Sequence, residues 1–203
     1  MREQTVFVVD DDQAVARSLR WLFETVHLKV ETFSSAQAFI DGFDPSKPGC
    51  LVLDVRMPGM SGLDLQERLA AQQIHLPIIF ITGHGDVEMA VRAVKAGAFD
   101  FVEKPFSDQD LIERIHKAIN FDALQRINDT QRAQLHARFA SLTVREREVL
   151  DLVVDGKSNK AIANSFGLSA KTIEIHRGKM MEKMHARSVA DLVKIAMQNK
   201  ALS

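Results

Sequence analysis

Carboxylates, a threonine and a lysine recur in the first half of the chain, each after a short apolar run. The carboxylates are Asp10, Asp11 and Asp54, and the other two residues are Thr82 and Lys104. Carboxylates gathered in one place repel one another and favour a hard divalent cation, for which Mg²⁺ (or Mn²⁺) is expected. With such an ion and a lysine to neutralise charge, one carboxylate can act as a nucleophile toward phosphorus. The pattern therefore predicts phosphoryl-transfer chemistry on an aspartate.

The apolar runs before these residues predict the strands that position them. Strands are expected near residues 5–9, 28–33, 50–54, 77–81 and 99–102, and helices near 13–26, 35–43, 61–73, 86–97 and 107–120. Such alternation is typical of βα units in a parallel sheet that is buried on both faces. The carboxyl ends of parallel strands form the edge where these sheets carry their sites. The sequence thus predicts a doubly wound α/β fold with a five-stranded parallel sheet and a site at that edge.

The distribution of charge separates the two halves of the chain. Residues 1–121 hold 12 basic and 18 acidic side chains, a net charge of −6, whereas residues 122–203 hold 14 and 9, a net charge of +5. A basic surplus suggests a polyanionic partner for the second half. Residues 122–138 contain neither Gly nor Pro and are expected to form a helical linker that extends the fifth helix. Alternatively, the sparse apolar residues of this segment form a contact stripe together with the preceding Phe121. The stripe consists of Phe121, Leu124, Ile127 and Leu135.

Capping residues divide residues 139–203 into four short helices. Thr143 and Glu146 form a capping box, and Ser158, Ser169 and Ser188 are the expected starts of the next three helices. The prediction is an all-α four-helix domain after the linker, so the chain has two domains, at 1–121 and 139–203.

The single cysteine and the absence of a long apolar stretch predict a cytoplasmic protein. Cys50 cannot form an internal disulfide, and a small core residue is the expected role for it. No signal peptide is expected at the N-terminus, and no apolar stretch approaches the roughly 18 residues of a membrane span. We expect no membrane partner.

The first 120 or so residues resemble the receiver domain of bacterial two-component response regulators, in particular the FixJ branch. The motifs that carry the resemblance are Val9-Asp10-Asp11, Asp54 with Met57-Pro58-Gly59, Thr82-Gly83 and Lys104-Pro105-Phe106. The resemblance implies that a sensor histidine kinase phosphorylates Asp54. It also implies a Mg²⁺ site whose ligands are Asp10, Asp11, Asp54 and the backbone carbonyl of Arg56.

The same resemblance assigns the residues that sense the phosphoryl group. It implies that Thr82 and Lys104 contact that group, that Phe101 occupies the aromatic switch position, and that the Lys104-Pro105 peptide is cis. Phe101 is alternatively only a core residue. His84 and Arg56 stand where the family modulates loss of the phosphoryl group, although both are alternatively solvated. Asp12 is expected to be the N-cap of the first helix, with a third acidic ligand as the alternative.

The last 65 residues or so resemble the LuxR-type (NarL/FixJ) helix-turn-helix, on the segments Leu142–Leu150, Asn159–Ala163 and Leu168–Arg177. Residues 158–185 form the motif, and its last helix is expected to enter the major groove of DNA. The expected contact residues lie on that helix: Lys171, Thr172, Glu174, Ile175, Arg177, Gly178 and Lys179.

Helical spacing divides this helix into two faces. Ile173, Met180 and Met184 make the expected buried stripe, with His176 packed near it. Ile175 is outward and apolar, which suits a thymine methyl group, and the mid-helix Gly178 costs about 1 kcal/mol relative to alanine.

The charged side chains of the same helix allow two interpretations. Lys171, Arg177 and Lys179 suit phosphates, although Lys171 and Arg177 are alternatively plain solvated surface. Glu174 either accepts from a cytosine amino group or forms a salt bridge.

The leading hypothesis is a phosphorylation-controlled transcription factor that is not an enzyme. The resemblance implies a homodimer through the fourth helix and fifth strand (about residues 86–102), an activating role and RNA polymerase as a further partner. One alternative is a phosphatase-like enzyme with Asp54 as nucleophile, but such hydrolases carry a second Asp two residues on, where Arg56 stands. The other is a receiver that never accepts phosphate, joined to a DNA-binding domain that is always active.

Overall fold

The computed structural model describes residues 4–83 and 87–202, and it divides into two compact units, Met1–Arg126 and Ile127–Ser203. Within the described residues of the first unit, five parallel strands form one sheet in the order β2-β1-β3-β4-β5. They are β1 (Thr5–Val9), β2 (Lys29–Phe33), β3 (Gly49–Asp54), β4 (Ile78–Thr82) and β5 (Asp100–Glu103). The strand order reverses between β1 and β3, so the crevice expected of a doubly wound sheet opens at their carboxyl ends. The predicted fold class is confirmed.

Helices alternate with these strands and then continue alone. They are α1 (Gln13–Thr25), α2 (Ala36–Gly42), α3 (Gly62–Ala71), α4 (Val87–Lys95), α5 (Asp108–Ala140), α6 (Val144–Val154), α7 (Asn159–Phe166), α8 (Ala170–Lys183) and α9 (Val189–Leu202). The carboxylate of Asp12 accepts from the main-chain N–H of Ala14 at 2.7 Å and of Val15 at 3.4 Å. Asp12 is therefore the N-cap of α1, as expected.

The core of the first unit lies on both faces of the sheet. Along β1 and β3 alternate residues enter opposite layers, with Phe7 and Leu51 on one face and Val8 and Val52 on the other. Cys50 is fully buried in the second layer, and burial raises the pKa of its thiol. This agrees with its expected role as a core residue.

The helix α5 runs without a break for 33 residues, from the first unit into the second. Near the end of the first unit, the buried Asp122 accepts from the main-chain N–H of Gly49 at 2.9 Å and from the guanidinium of Arg126 at 2.8 Å. That guanidinium also donates to the carbonyls of Pro45 and Lys47. The helix is thereby fastened to the segment that leads into β3.

The helices α6 to α9 of the second unit pack around their own core. Val149, Ile162 and Leu192 contribute to it from α6, α7 and α9. It also receives Ile173 and Met180 from α8 and Met184 from the C-cap of that helix, which confirms the predicted buried stripe. No helix in the described part of the chain is long and apolar enough to cross a membrane.

Candidate functional site

One lysine bridges two carboxylates at the carboxyl edge of the sheet. The Nζ of Lys104 lies 3.3 Å from Oδ2 of Asp10 and 3.3 Å from Oδ1 of Asp54. Asp10 follows β1, Asp54 ends β3 and Lys104 follows β5. The parallel sheet therefore brings together three charged residues that are far apart in sequence.

Asp10 is a carboxyl group whose charged form is disfavoured by burial. It is only 3% exposed, and this burial raises its pKa, although the N–H of Asp12 and the ammonium of Lys104 act in the opposite direction. The nearby Asp54 raises the pKa further. A buried carboxylate of this kind gains from every additional positive charge that reaches it.

The two oxygens of Asp54 have different partners. Oδ2 accepts from the main-chain N–H of Arg56 at 2.8 Å, and Oδ1 faces Lys104. The main chain holds one oxygen, Lys104 faces the other, and the side chain as a whole is 12% exposed. This arrangement suits a nucleophile that attacks in one direction.

Gly62 is a residue of the site that sequence reasoning missed. A Cβ atom at this position would lie 2.3 Å from the carbonyl oxygen of Asp54 and 3.1 Å from side-chain atoms of Leu53 and Phe80. Its N–H donates to the carbonyl of Val55 at 3.0 Å. Only glycine lets α3 begin this close to the segment that carries Asp54. The sequence signal for this close approach is a glycine directly after Ser61, the N-cap of α3.

Thr82 and Phe101 lie on neighbouring strands beside these carboxylates. Thr82 is buried at the end of β4, and its carbonyl accepts from the N–H of Lys104 at 2.7 Å. Phe101 is half-buried and pairs in register with Phe80, their ring centroids 6.4 Å apart. The Lys104-Pro105 peptide is cis, as the resemblance implied. His84 lies outside the described residues.

The donor set at this edge fits a hard divalent ion. The carboxylates of Asp10 and Asp54 already share one cation, and carboxylate oxygens are the ligands that Mg²⁺ accepts. Asp11 is exposed, and among the residues that the structure describes no group of three or more His, Cys, Asp or Glu side chains is arranged to hold a metal. The contributions of Asp11 and of the Arg56 carbonyl therefore stay predictions.

The expected DNA-contacting residues of α8 lie mostly on its exposed face. Lys171, Glu174, Gly178 and Lys179 are exposed, and Ile175 is 52% exposed despite its apolar side chain. A Cβ atom at Gly178 would meet nothing within 4 Å, so the helix bundle itself does not require a glycine there.

Two of the expected contact residues have partners within the bundle. The hydroxyl of Thr172 lies 2.8 Å from that of Ser169, the N-cap of α8. Arg177 donates to the side-chain oxygen of Asn159 on α7 at 2.6 Å. Arg177 therefore links α8 to α7, whereas the hydroxyl of Thr172 contacts the N-cap of its own helix.

A buried ion pair, also missed from the sequence, holds the end of α8. Glu146 is 3% exposed, and its Oε2 accepts from Lys183 at 2.6 Å and from the N–H of Thr143 at 2.9 Å. Lys183 also donates to the carbonyl of Ser141. The capping box was predicted, but the lysine 37 positions further on could not be found from local spacing.

Comparisons with known proteins agree with this architecture. Residues 6–116 match the response regulator receiver domain, and residues 140–196 match the bacterial regulatory proteins of the luxR family. The chain is 48% identical over 191 residues to Nodulation protein W of Bradyrhizobium diazoefficiens, covering 94% of this chain and 84% of that protein. It is 45% identical over 192 residues to the transcriptional regulatory protein FixJ of Azorhizobium caulinodans, covering 95% and 91%.

A solved structure extends the similarity to the whole chain. The low-resolution structure of the response regulator StyR superposes with a TM-score of 0.92 at 45% identity, covering 97% of this chain and 99% of that one. The receiver motifs, the order of the strands and the helix-turn-helix unit all indicate the same family. The chain belongs to the two-component response regulators that join a receiver domain to a LuxR-type DNA-binding domain.

Proposed function

We propose that this response regulator accepts a phosphoryl group on Asp54 from a sensor histidine kinase, pairs with a second copy and binds operator DNA. The observation that carries the proposal is Lys104, which lies 3.3 Å from both Asp10 and Asp54. A position that reaches both carboxylates with one positive charge is also suited to the charge of a phosphoryl group. The proposal includes domain limits of 1–121 and 139–203, a linker at 122–138, a cytoplasmic location and a regulatory rather than enzymatic role.

In the proposed reaction an oxygen of Asp54 attacks the phosphorus of the kinase's phosphohistidine. A P–O bond forms and the P–N bond breaks, its electron pair remaining with the imidazole nitrogen, which takes up a proton. The N–H of Arg56 holds the other oxygen of Asp54 at 2.8 Å and so restricts the direction of attack.

Mg²⁺ (or Mn²⁺), when bound, would neutralise the charge of the transferred group. We propose that it is held by Asp10, Asp11, Asp54 and the backbone carbonyl of Arg56. Lys104 and the hydroxyl of Thr82 would then bind the phosphoryl oxygens.

The signal is proposed to leave the site through Thr82 and Phe101. Thr82 ends β4, and Phe101 lies in β5. Next to β5 lies α4, whose Val91 and Val94 are exposed apolar side chains. Exposed valines on one helix suit the pairing of two receivers through α4 and β5. Pairing would bring two copies of α8 to half-sites about 34 Å apart.

Within each half-site α8 is proposed to read the major groove. Lys171, Arg177 and Lys179 would bind phosphates, and Thr172 and Gly178 would border the DNA backbone. Ile175 would contact a thymine methyl group and Glu174 a cytosine amino group. An activating role and a contact with RNA polymerase complete the proposal.

The test compares the purified chain with Asp54→Asn after treatment with acetyl phosphate and Mg²⁺. The unaltered chain is expected to form dimers in sedimentation velocity and to select a preferred sequence from a random pool of duplex DNA. Asp54→Asn should remain monomeric and unresponsive. Phosphate-dependent dimerisation or DNA selection by Asp54→Asn would refute the role of Asp54.

A further inference from the structure

A buried glutamine joins the helices α3 and α4. Gln66 is only 3% exposed, and its amide Nε2 donates to the main-chain carbonyl of Ala93 at 3.1 Å. Its Oε1 is also buried, but it has no hydrogen-bond partner among the described residues. The amide nitrogen therefore bonds to α4, whereas the amide oxygen is buried without a partner among the described residues.

The carbonyl that Gln66 contacts does not depend on it. Ala93 also accepts from the N–H of Ala98 at 3.0 Å, across the turn at Gly97 that ends α4 and has a φ of +90°. This N–H to carbonyl bond closes the helix end in the usual way. Removal of the glutamine amide would therefore leave the carbonyl of Ala93 with the N–H of Ala98 as its partner.

The net effect of this amide on folding stability is therefore small or unfavourable. A buried oxygen that has lost water without gaining a partner costs more than one neutral hydrogen bond returns. An apolar side chain of the same length would fill the same space without that cost. Such an unsatisfied group in a native protein calls for an explanation other than stability.

The amide of Gln66 instead determines the position of α4 relative to α3. A hydrogen bond fixes distance and direction, whereas apolar contacts alone let packed helices slide. Ala93 is fully buried, and its neighbours in the helix, Val91 and Val94, are exposed. The bond to Ala93 thus fixes how far α4 is rotated and which side chains it presents outward.

We propose that Gln66 is a positioning residue that pins the end of α4 to α3 and so favours the unphosphorylated arrangement of the α4–β5 surface. The inference rests on the proposed function, in which that surface pairs two receivers. In this proposal the bond from Gln66 to Ala93 is made only in the unphosphorylated arrangement, so that its loss shifts the population toward the pairing-competent one.

The chain supplies a matched control at the next position. Glu67 and Arg92 link the same two helices by an ion pair of 2.8 Å, but their side chains are 58% and 61% exposed. An exposed pair is screened by water and holds its helices weakly. Glu67→Ala therefore removes a link between α3 and α4 without removing the buried pin.

The first measurement is hydrogen exchange in the full-length chain with Gln66→Met. The amides of Ala96, Gly97 and Ala98 are expected to exchange about tenfold faster, because the end of α4 can then shift against α3 without leaving the buried Nε2 of Gln66 unpaired. The thermal midpoint should stay unchanged, and Glu67→Ala should exchange like the unaltered chain. Unchanged exchange in Gln66→Met, or equally fast exchange in both variants, overturns the proposal. Gln66→Leu replaces Gln66→Met if the latter does not fold.

The second measurement is the monomer–dimer equilibrium without acetyl phosphate. Gln66→Met is expected to dimerise several-fold more tightly than Glu67→Ala. If the unaltered chain dimerises on phosphorylation but the equilibrium of Gln66→Met is unchanged, the proposal is overturned. If the unaltered chain does not respond to acetyl phosphate, the proposed function fails instead. Hydrogen exchange then decides alone whether Gln66 positions α4.

Discussion

Removal of the Lys183 ammonium tests whether the buried ion pair with Glu146 holds the second unit together. Lys183→Met keeps the aliphatic stem and leaves Glu146, which is 3% exposed, with the N–H of Thr143 as a donor at 2.9 Å. A buried pair that loses one partner costs roughly 3–5 kcal/mol. Because the Lys183 side chain is about one-third exposed, water can replace part of the ammonium's effect, so we expect about 2 kcal/mol.

The assay is urea unfolding of the full-length chain followed by two signals. The only tryptophan, Trp21, lies on α1, so its fluorescence reports on the first unit, whereas far-ultraviolet circular dichroism reports on the helices of both. Lys183→Met should lower the urea midpoint of the second unit, which circular dichroism detects and fluorescence does not. The midpoint that fluorescence reports should stay unchanged. Lys194→Met, at an exposed position of α9, is the charge-matched control and should leave both transitions in place.

A double-mutant cycle with Glu146→Gln gives the decisive result. If the two side chains act as a pair, the double variant should be little less stable than either single variant. Strictly additive losses would refute the reasoning, because they would mean that each residue acts through other contacts.

The same pair predicts how the stability of the second unit depends on pH. The hydrogen bond from Lys183, together with that from Thr143, lowers the pKa of Glu146 from its ordinary value of 4.5. A carboxyl group with a lowered pKa in the folded state contributes stability above its ordinary pKa and loses it as the pH falls through the lowered value. The second unit should thus weaken below a pH of about 4.5, and this part of the loss should be smaller in Lys183→Met.

Three further substitutions test the sites separately. Gly62→Ala places a Cβ atom 2.3 Å from the Asp54 carbonyl, so chemical denaturation should show a loss of about 1–3 kcal/mol. Gly178→Ala has open space and should stabilise α8 by about 1 kcal/mol while it weakens DNA binding in fluorescence anisotropy; unchanged affinity would remove Gly178 from the DNA surface. Lys104→Met removes the cation that Asp10 and Asp54 share, so calorimetry should show roughly tenfold tighter Mg²⁺ binding, and weaker binding would contradict a metal site at these carboxylates.

Local sequence patterns determined most of the secondary structure. Strand positions followed from short apolar runs, and they agree with the structure to within one or two residues. The N-caps Asp12, Thr143, Ser158 and Ser169 could be found because a cap bonds to an N–H only two or three residues away. The buried stripe of α8 could be found because helical spacing alone decides which side chains share a face.

Pairs that are distant in sequence could not be found in this way. Lys104 reaches Asp10 across 94 positions, and Gln66 reaches Ala93 across 27. Gln66 does not stand out by type or spacing. Lys104 was expected at the same edge of the sheet as the carboxylates, but its expected partner was a phosphoryl group rather than Asp10 and Asp54. The partner of each is chosen by the order of the strands and the packing of the helices.

By itself, the sequence determined the types of element, their order and the acidic residues at the carboxyl ends of the strands, because periodicity and capping act within a few residues. Only the tertiary structure decided that one ammonium lies between Asp10 and Asp54, that Gln66 carries an unpaired oxygen, and that Lys183 ends beside Glu146. The physical reason is that desolvation and hydrogen bonding between distant side chains exist only once the layers have packed.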